Sequence, residues 1–395
     1  MACQKCASFP PRGIHESHCV NALYSFVEFA ESAGDPMTTA TFARVRTLES
    51  PWRGVLAVSL TLAVLLPTVF LGAMRASAAT ANPNAKYLQV YDNNVENLLT
   101  AAETCAGDWQ DLIHYMVSQA NAPDLFLVQQ VDEAKLITLV AKMEDLLGLD
   151  YAWIISNRLA GDTIEKCNGE KQVQRNAIIY RTGRLAPVSG FTVSWQSKHE
   201  VGGSCVLNNQ DRTVGIRMTF NDRLNTGKTV TAASLHWATG ASDGPPCAEI
   251  NATEAAAQVA APGSSLTIMA GDTNVTDLNA SNGWRPWYSK INGDLGGSLG
   301  YRDVIYDNCR EDTDGSASAI KACLPWTLVD TDRRIDFMFG RLSGGRLPFI
   351  GSEHTITFNE GDAADQAQTG SDNASLNYSE HRAVMARIHY NTTNT

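Results

Sequence analysis

The chain is 395 residues long, 44% hydrophobic and 18% charged, a balance that can bury a core and is too apolar for a disordered chain. Lys and Arg total 31 against 42 Asp and Glu, a net charge of -11, which excludes a stoichiometric nucleic-acid binder of the histone or repressor kind. An enzyme acting on a polyanion is not excluded, because one local cationic site or a metal ion can hold a phosphate on an otherwise acidic surface.

The longest apolar run, Val55 to Leu71, follows Arg44, Arg46 and Arg53 and precedes Ala76-Ser-Ala-Ala79. Basic flank, apolar stretch and small-residue site are the three parts of a secretory signal. Residues 37–79, starting at Met37, are therefore expected to be a signal peptide cleaved after Ala78 or Ala79. Residues 1–36 then form a mis-assigned or disordered extension, and the mature protein is secreted and extracellular, with no stable membrane association. An uncleaved anchor is the competing reading, because the run is at the short end of the spanning range; Pro67 and the small-residue site favour cleavage. Cys105, Cys167, Cys205, Cys247, Cys309 and Cys323 remain, an even set outside the reducing cytosol that points to disulfides. The shortest loops pair 309 with 323 and 167 with 205, which leaves 105 with 247.

Along the mature chain, strands are expected at Tyr87–Tyr91 and Asp124–Val131, with a helix around Asp108–Gln119 and another over residues 133–147. Further strands follow at Val173–Tyr180, Phe191–Trp195, Thr213–Phe220 and Thr229–His236, broken by Gly, Asn and Asp turns. An Ala-rich helix over Ala248–Ala261 leads to strands at Ser265–Ala270, Arg334–Phe339 and Ala383–His389, and Asn359–Tyr378 reads as a polar loop. Interleaved strands and helices without a long linker predict one α/β domain over residues 80–395.

Polar residues of catalytic type stand at the ends of several apolar runs, where an open α/β sheet presents its site. In chain order the motifs are Asn-Val-Glu-Asn-Leu (94–98), Leu-Val-Gln-Gln-Val (127–131), Arg-Asn-Ala-Ile-Ile-Tyr-Arg (175–181), Ser-Leu-His (234–236), Gly-Asp-Thr-Asn (271–274), Arg-Ile-Asp-Phe-Met-Phe (334–339) and Ser-Glu-His-Arg-Ala-Val (379–384). A single Asp or Asn at a strand end is more often a turn former; the order of the set carries the information. That order resembles the endonuclease/exonuclease/phosphatase superfamily of metal-dependent phosphoesterases, from Tyr87 to Tyr390.

The resemblance implies a four-layer α/β sandwich with two central mixed β-sheets flanked by helices, the site lying at one edge of the sheets. It also implies that Asp272 and Asn274 position the attacking water, and that His381, oriented by Asp336, contacts the phosphate or moves a proton. His236 would be the second catalytic imidazole. Asn94, Gln130 and Glu380 would lie at the metal, and Arg175 and Asn176 would bind substrate. The implied cofactor is Mg²⁺, with Mn²⁺ or Ca²⁺ as alternatives.

Two positions depart from the family pattern. Gln130 stands where the family has a metal-binding Glu, and Glu380 replaces an Asp, one methylene longer. An amide binds a hard cation less strongly than a carboxylate, so Glu380 is expected to reach in and replace the missing charge. Asp132 and Glu133 are alternative carboxylates, read as solvated residues at a helix start. The leading reading is a secreted phosphodiesterase with nucleic acid, or another phosphoester, as its partner. Its rivals are a phospholipid or sugar-phosphate phosphoesterase of the same fold and a catalytically silent binding protein. Trp237, Trp284 and Trp287 read as packing residues or as a substrate wall, and Asn251, Asn274 and Asn391 each begin a glycosylation acceptor pattern.

Overall fold

In strand Leu125–Val131, alternate side chains point to opposite faces, and both faces are buried. Leu125 and Leu127 pack toward the centre of the molecule, whereas Phe126 and Val128 pack outward against a helix. A strand covered on both sides requires layers above and below it, and the computed structural model supplies them. It describes residues 79–96, 116, 121–159, 164–166, 170–172, 174–238, 245–328, 333–351, 356–358 and 381–394.

The first sheet contains β1 (Tyr87–Asn94), β2 (Leu125–Val131), β3 (Tyr151–Ile155), β6 (Arg175–Arg181), β16 (Ile356–Phe358) and β17 (Ala383–His389), in the order β16-β17-β1-β2-β6-β3. β1 and β2 run parallel; the other pairs are antiparallel. The second sheet contains β7 (Leu185–Pro187), β11 (Val214–Asp222), β12 (Thr229–His236), β13 (Leu266–Asp272), β14 (Arg302–Asp303) and β15 (Asp336–Leu342), in the order β14-β15-β13-β12-β11-β7, and β8 (Val193–Gln196) also pairs with β11. Here only β12 and β13 are parallel. Two hairpins stand apart, β4 (Ile164–Lys166) with β5 (Glu170–Gln172) and β9 (Lys198–Val201) with β10 (Ser204–Leu207).

Between the sheets lies a core that includes Leu88, Val90, Ile216, Phe220, Ile268 and Met338. Helix α1 (Glu133–Leu147) covers the outer face of the first sheet with Leu136, Leu139, Met143 and Leu147, a single stripe at helical spacing. Asp132 caps its start by accepting from the Lys135 N–H, and Gly148 ends it in the left-handed conformation, φ 64°. The outer face of the second sheet is covered by α2 (Pro245–Ala260), α3 (Pro286–Ile291) and α4 (Val304–Asp312) through Ala252, Val259, Trp287, Tyr288 and Tyr306. A short α5 (Ala317–Cys323) follows α4. The architecture is thus helix, mixed sheet, mixed sheet, helix, the four-layer sandwich expected. No helix among the described residues is long and apolar enough to cross a membrane.

The expected strands and the helices at 133–147 and 248–261 are present with small shifts at their ends. β3, β7, β14, β16, the two hairpins and α3 to α5, segments of nine residues or fewer, were not among the elements expected. One disulfide corrects the sequence reading. Cys309 bonds Cys323 as expected, but Cys205 bonds Cys247 rather than Cys167. Hairpin β9–β10 lies against α2, where Lys198 N–H donates to Asn251 Oδ1 at 2.8 Å and Asn251 Nδ2 donates to Lys198 O at 2.9 Å. Tertiary docking, not loop length, brings the two sulfurs together. The same contacts bury the Asn251 side chain and remove it as a glycosylation acceptor. Cys105, Cys167, Glu380, residues 1–78, the loop 359–378 and, apart from Met116, the expected helix at 108–119 lie outside the described residues.

Candidate active site

Strand register assembles the site. In the parallel pair β12 and β13, His236 lies opposite Asp272, and in the antiparallel pair β13 and β15, Asp272 lies opposite Asp336. Three strands therefore present His236, Asp272 and Asp336 in one row at a sheet edge. In the other sheet, parallel β1 and β2 place Asn94 opposite Gln129, and His381 stands two residues before β17. The sheets face each other, so the two rows meet.

The meeting point is Asp272. Its Oδ2 accepts from Asn94 Nδ2 at 3.1 Å and lies 3.3 Å from His236 Nε2 and 3.8 Å from His381 Nε2. Its Oδ1 accepts from the Asn274 backbone N–H at 2.7 Å. Asn274 Nδ2 donates to Trp237 O at 2.8 Å, which closes the loop after β13. On the far side of the His381 ring, Nδ1 lies 3.0 Å from both carboxylate oxygens of Asp336. Asn94 Nδ2 and His381 Nε2 are 3.3 Å apart, and Gln130 Nε2 and His236 Nε2 are 2.8 Å apart. The sequence motifs at 94, 130, 236, 272, 274, 336 and 381 thus converge on one hydrogen-bonded cluster.

Local backbone explains how the side chains are aimed. A bulge in β2 between Val128 and Val131 breaks strict alternation. It lets Gln129 reach Asp92 of the neighbouring β1 at 2.9 Å and Ser234 of the opposite sheet at 3.0 Å, while Gln130 reaches His236. Three of the four non-glycine residues with positive φ among those described stand here: Glu96 (50°), Gln130 (55°) and Asn274 (53°). Such conformations cost energy and persist where surrounding structure enforces them, as at functional sites. Gly271 has φ 144°, and a Cβ there would lie 1.9 Å from Leu235 O. The Gly of Gly-Asp-Thr-Asn is thus required by the close approach of β13 to β12.

The electrostatics are those of charges held out of water. Burial pushes the Asp272 carboxyl above its ordinary value, against the pull of His381 and His236. Asp92, fully buried beneath the cluster, is raised well above the carboxylate range by burial. Burial works against the charge of His381, but Asp336 and then Asp272 overcome it and hold the imidazolium to about pH 10. At neutral pH His381 is a cation clamped between two carboxylates.

A divalent metal fits this chemistry. The ligand-type atoms of Asp272, Asp336 and His381 lie within 4.8 Å of one another; with His381 protonated and Asp336 turned to it, the Asp272 carboxylate is the ligand on offer, and Gln130 Oε1 is buried without a hydrogen-bond partner among the described residues. An orphaned amide oxygen beside carboxylates is a donor available to a hard cation.

Arg175 and Asn176 are occupied by protein partners. Arg175 pairs with Glu133 at 2.8 Å, and both amide hydrogens of Asn176 go to the carbonyls of Arg212 and Val214, tying the two sheets together. These contacts give both residues structural roles, while Arg175 Nε is buried without a hydrogen-bond partner among the described residues. Asp132 and Glu133 are likewise the cap and the Arg175 partner. Trp237 and Trp287 are buried, and Trp284 stacks on Tyr288. Sequence reasoning passed over Thr327, whose Oγ1 accepts from the Ile335 and Asp336 N–H groups at 2.9 Å each. It also assigned no role to Glu96, a buried carboxylate whose charge adds to those favouring protonated His381. Its signal was available in the 94–98 motif; that of Thr327 was not.

No family model matches the chain, and no curated protein does. Among solved structures it is similar to a humanized TDP2 from D. rerio, at 14% identity and TM-score 0.47, covering 78% of this chain and 100% of that one. It is also similar to an endonuclease/exonuclease/phosphatase from Bacteroides vulgatus, at 15% identity and TM-score 0.45, covering 77% and 98%. The human Nocturnin catalytic domain is a third, at 13% identity and TM-score 0.46, covering 78% and 96%.

Proposed function

We propose that this chain is a secreted, disulfide-bonded, metal-dependent phosphodiesterase that hydrolyses nucleic acid by attack of water on phosphorus. The observation that carries the reading is the arrangement around Asp272: a buried carboxylate held by Asn94, Asn274 and His236, facing an imidazolium that Asp336 orients. The order of seven motifs along the chain supports it, and the two disulfides support a compartment outside the reducing cytosol.

Each residue has work that follows from its contacts. Asp336 holds His381 Nδ1–H, so the protonated Nε2 is directed at the space shared with Asp272. There it can donate to a phosphoryl oxygen as negative charge develops and give its proton to the leaving oxygen as the P–O bond breaks. Asp272, whose pKa burial has raised, accepts a proton from the attacking water and orients it. Asn94 and the Asn274 amide fix that carboxylate, and His236, whose Nε2 accepts from Gln130 Nε2, lies beside it at 3.3 Å. Asp272, Gln130 Oε1 and Asn94 would hold a divalent cation, joined by Glu380 from the adjoining segment. When bound, the ion offsets phosphate charge and lowers the pKa of water.

Purified mature protein assayed on plasmid DNA, RNA and bis-(p-nitrophenyl) phosphate with Mg²⁺, Mn²⁺ or Ca²⁺ tests the reading. Metal-dependent cleavage lost in His381→Ala establishes it. An inert wild type with activity gained in Gln130→Glu would identify instead a silent member disabled at its metal ligand. The neutral amide at position 130 is what favours that second reading.

A further inference from the structure

A cavity of about 540 Å³ lies between the loop that follows β13 and the segment joining α5 to β15. Its walls are continuous with the site. Thr276, on one side, stands two residues after Asn274. Trp326, on the other, immediately precedes Thr327, which receives the Asp336 N–H, and Leu328, which pairs with His381. Arg333 Nη2 donates to Asn274 O at 3.3 Å, which places another cation where the cavity and the site adjoin.

The lining is aromatic and cationic. Trp326 is 51% exposed, unlike the buried Trp237 and Trp287. Arg334, in the wall, is neutralised by Asp277 at 2.8 Å and by Asp303. Against the one negative charge in excess on that triad, Arg285 and Lys321 leave this region with one net positive charge on a chain whose overall charge is -11. Both are held in place: Arg285 Nε donates to Thr276 Oγ1 and Leu278 O, and Lys321 Nζ donates to Asn282 O and sits 4.9 Å over the Trp284 ring. A flat π-face next to fixed cations matches a base and its phosphate. A sugar phosphate has no π-face to stack, and a lipid tail would meet charges.

We propose that this cavity is a nucleotide subsite adjoining the scissile phosphate, in which a base stacks on Trp326 and the neighbouring phosphate lies against Lys321 and Arg285. The proposal rests on the phosphodiesterase reading and deepens it by assigning the place of one nucleotide of the strand. The test uses full mature protein with Trp326→Ala and Lys321→Ala, and Lys86→Ala as a control for the loss of one charge at an exposed position. One arm measures binding of a fluorescein-labelled single-stranded oligonucleotide by anisotropy, without turnover. The other compares kcat/KM on the oligonucleotide with that on bis-(p-nitrophenyl) phosphate. The expected result is a Kd raised about tenfold or more in Trp326→Ala, a fall of similar size in the ratio of the two kcat/KM values, and no more than a twofold change in Lys86→Ala. Unchanged oligonucleotide binding in both variants overturns the proposal, as does an equal fall on both substrates. So does stronger competition by glucose 6-phosphate or phosphatidylcholine vesicles than by unlabelled oligonucleotide. A wild type inert on both substrates defeats the hydrolase reading alone, because the binding arm still decides the subsite.

Discussion

Replacing Asp336 with Asn removes the charge that faces His381 through two 3.0 Å contacts and keeps the shape. In the wild type, burial opposes the imidazolium, yet Asp336 and Asp272 raise its pKa from 6.5 to about 10. At about 1.4 kcal/mol per unit, a raise of that size is worth on the order of 5 kcal/mol of pH-linked stability. The folded value lies above the unfolded one, so this contribution is fully present below about pH 6.5 and is lost as pH rises through about 10. Urea unfolding of metal-free protein at pH 6, 8 and 10 measures it. The wild type is expected to lose a few kcal/mol across that range relative to Asp336→Asn, whose profile should be the flatter of the two, because burial then works on His381 with one carboxylate fewer. Nitrogen-15 spectra of the imidazoles should show His381 titrating near pH 10 in the wild type and well below that in the variant. Parallel pH profiles for the two proteins, or wild-type His381 titrating near 6.5, would refute the account of a clamped imidazolium. The same variant should lower kcat, because an Asn at 336 no longer selects the orientation that presents Nε2.

Gln130→Glu should tighten Mg²⁺ binding about tenfold, roughly 1.4 kcal/mol, and calorimetric titration with the metal would show whether the amide is the weak ligand; an unchanged affinity would place the cation elsewhere. Removing the Cys205–Cys247 bond, whose partners are 42 residues apart, should cost about 4 kcal/mol by loop entropy. Thermal melts of the Cys205→Ser, Cys247→Ser double variant with and without reductant would test it, and a Tm equal to wild type would mean that the hairpin is held by its other contacts. Gly271→Ala should abolish activity and sharply reduce soluble yield, because its Cβ would overlap Leu235 O and separate His236 from Asp272. Wild-type activity in that variant would contradict the pairing of His236 with Asp272.

How much of the site was legible depends on where each residue lies relative to its strand. Asn94, His236 and Asp272 close their strands, Asp336 opens one, and Asn274 and His381 stand two residues from one. An apolar run that stops at a polar residue marks such positions without any structure. Gln130 was found by its motif, but its aim was not, because the bulge that turns it toward His236 leaves no trace in hydrophobic alternation. Arg175 and Asn176 looked like ligands for a phosphate; only the packing of β6 against Glu133 and the second sheet shows which protein groups they hold. Trp326 and Thr327 gave no pattern at all. Their importance comes from a segment that passes the start of β15 and pairs across to His381.

Local chemistry along the chain determined that this protein would interleave buried strands and helices, where most of the long elements run, and which polar groups would stand at their ends. Those properties depend on neighbours in sequence: alternation, helical spacing and turn residues. The tertiary structure alone decided that Cys205 would meet Cys247, that Asp92 would be sealed beneath the cluster, and that His381 would lie between Asp336 and Asp272 and so keep its proton at neutral pH. Each of these is a distance between residues far apart along the chain, and charge, desolvation and covalent bonding respond to distance in space.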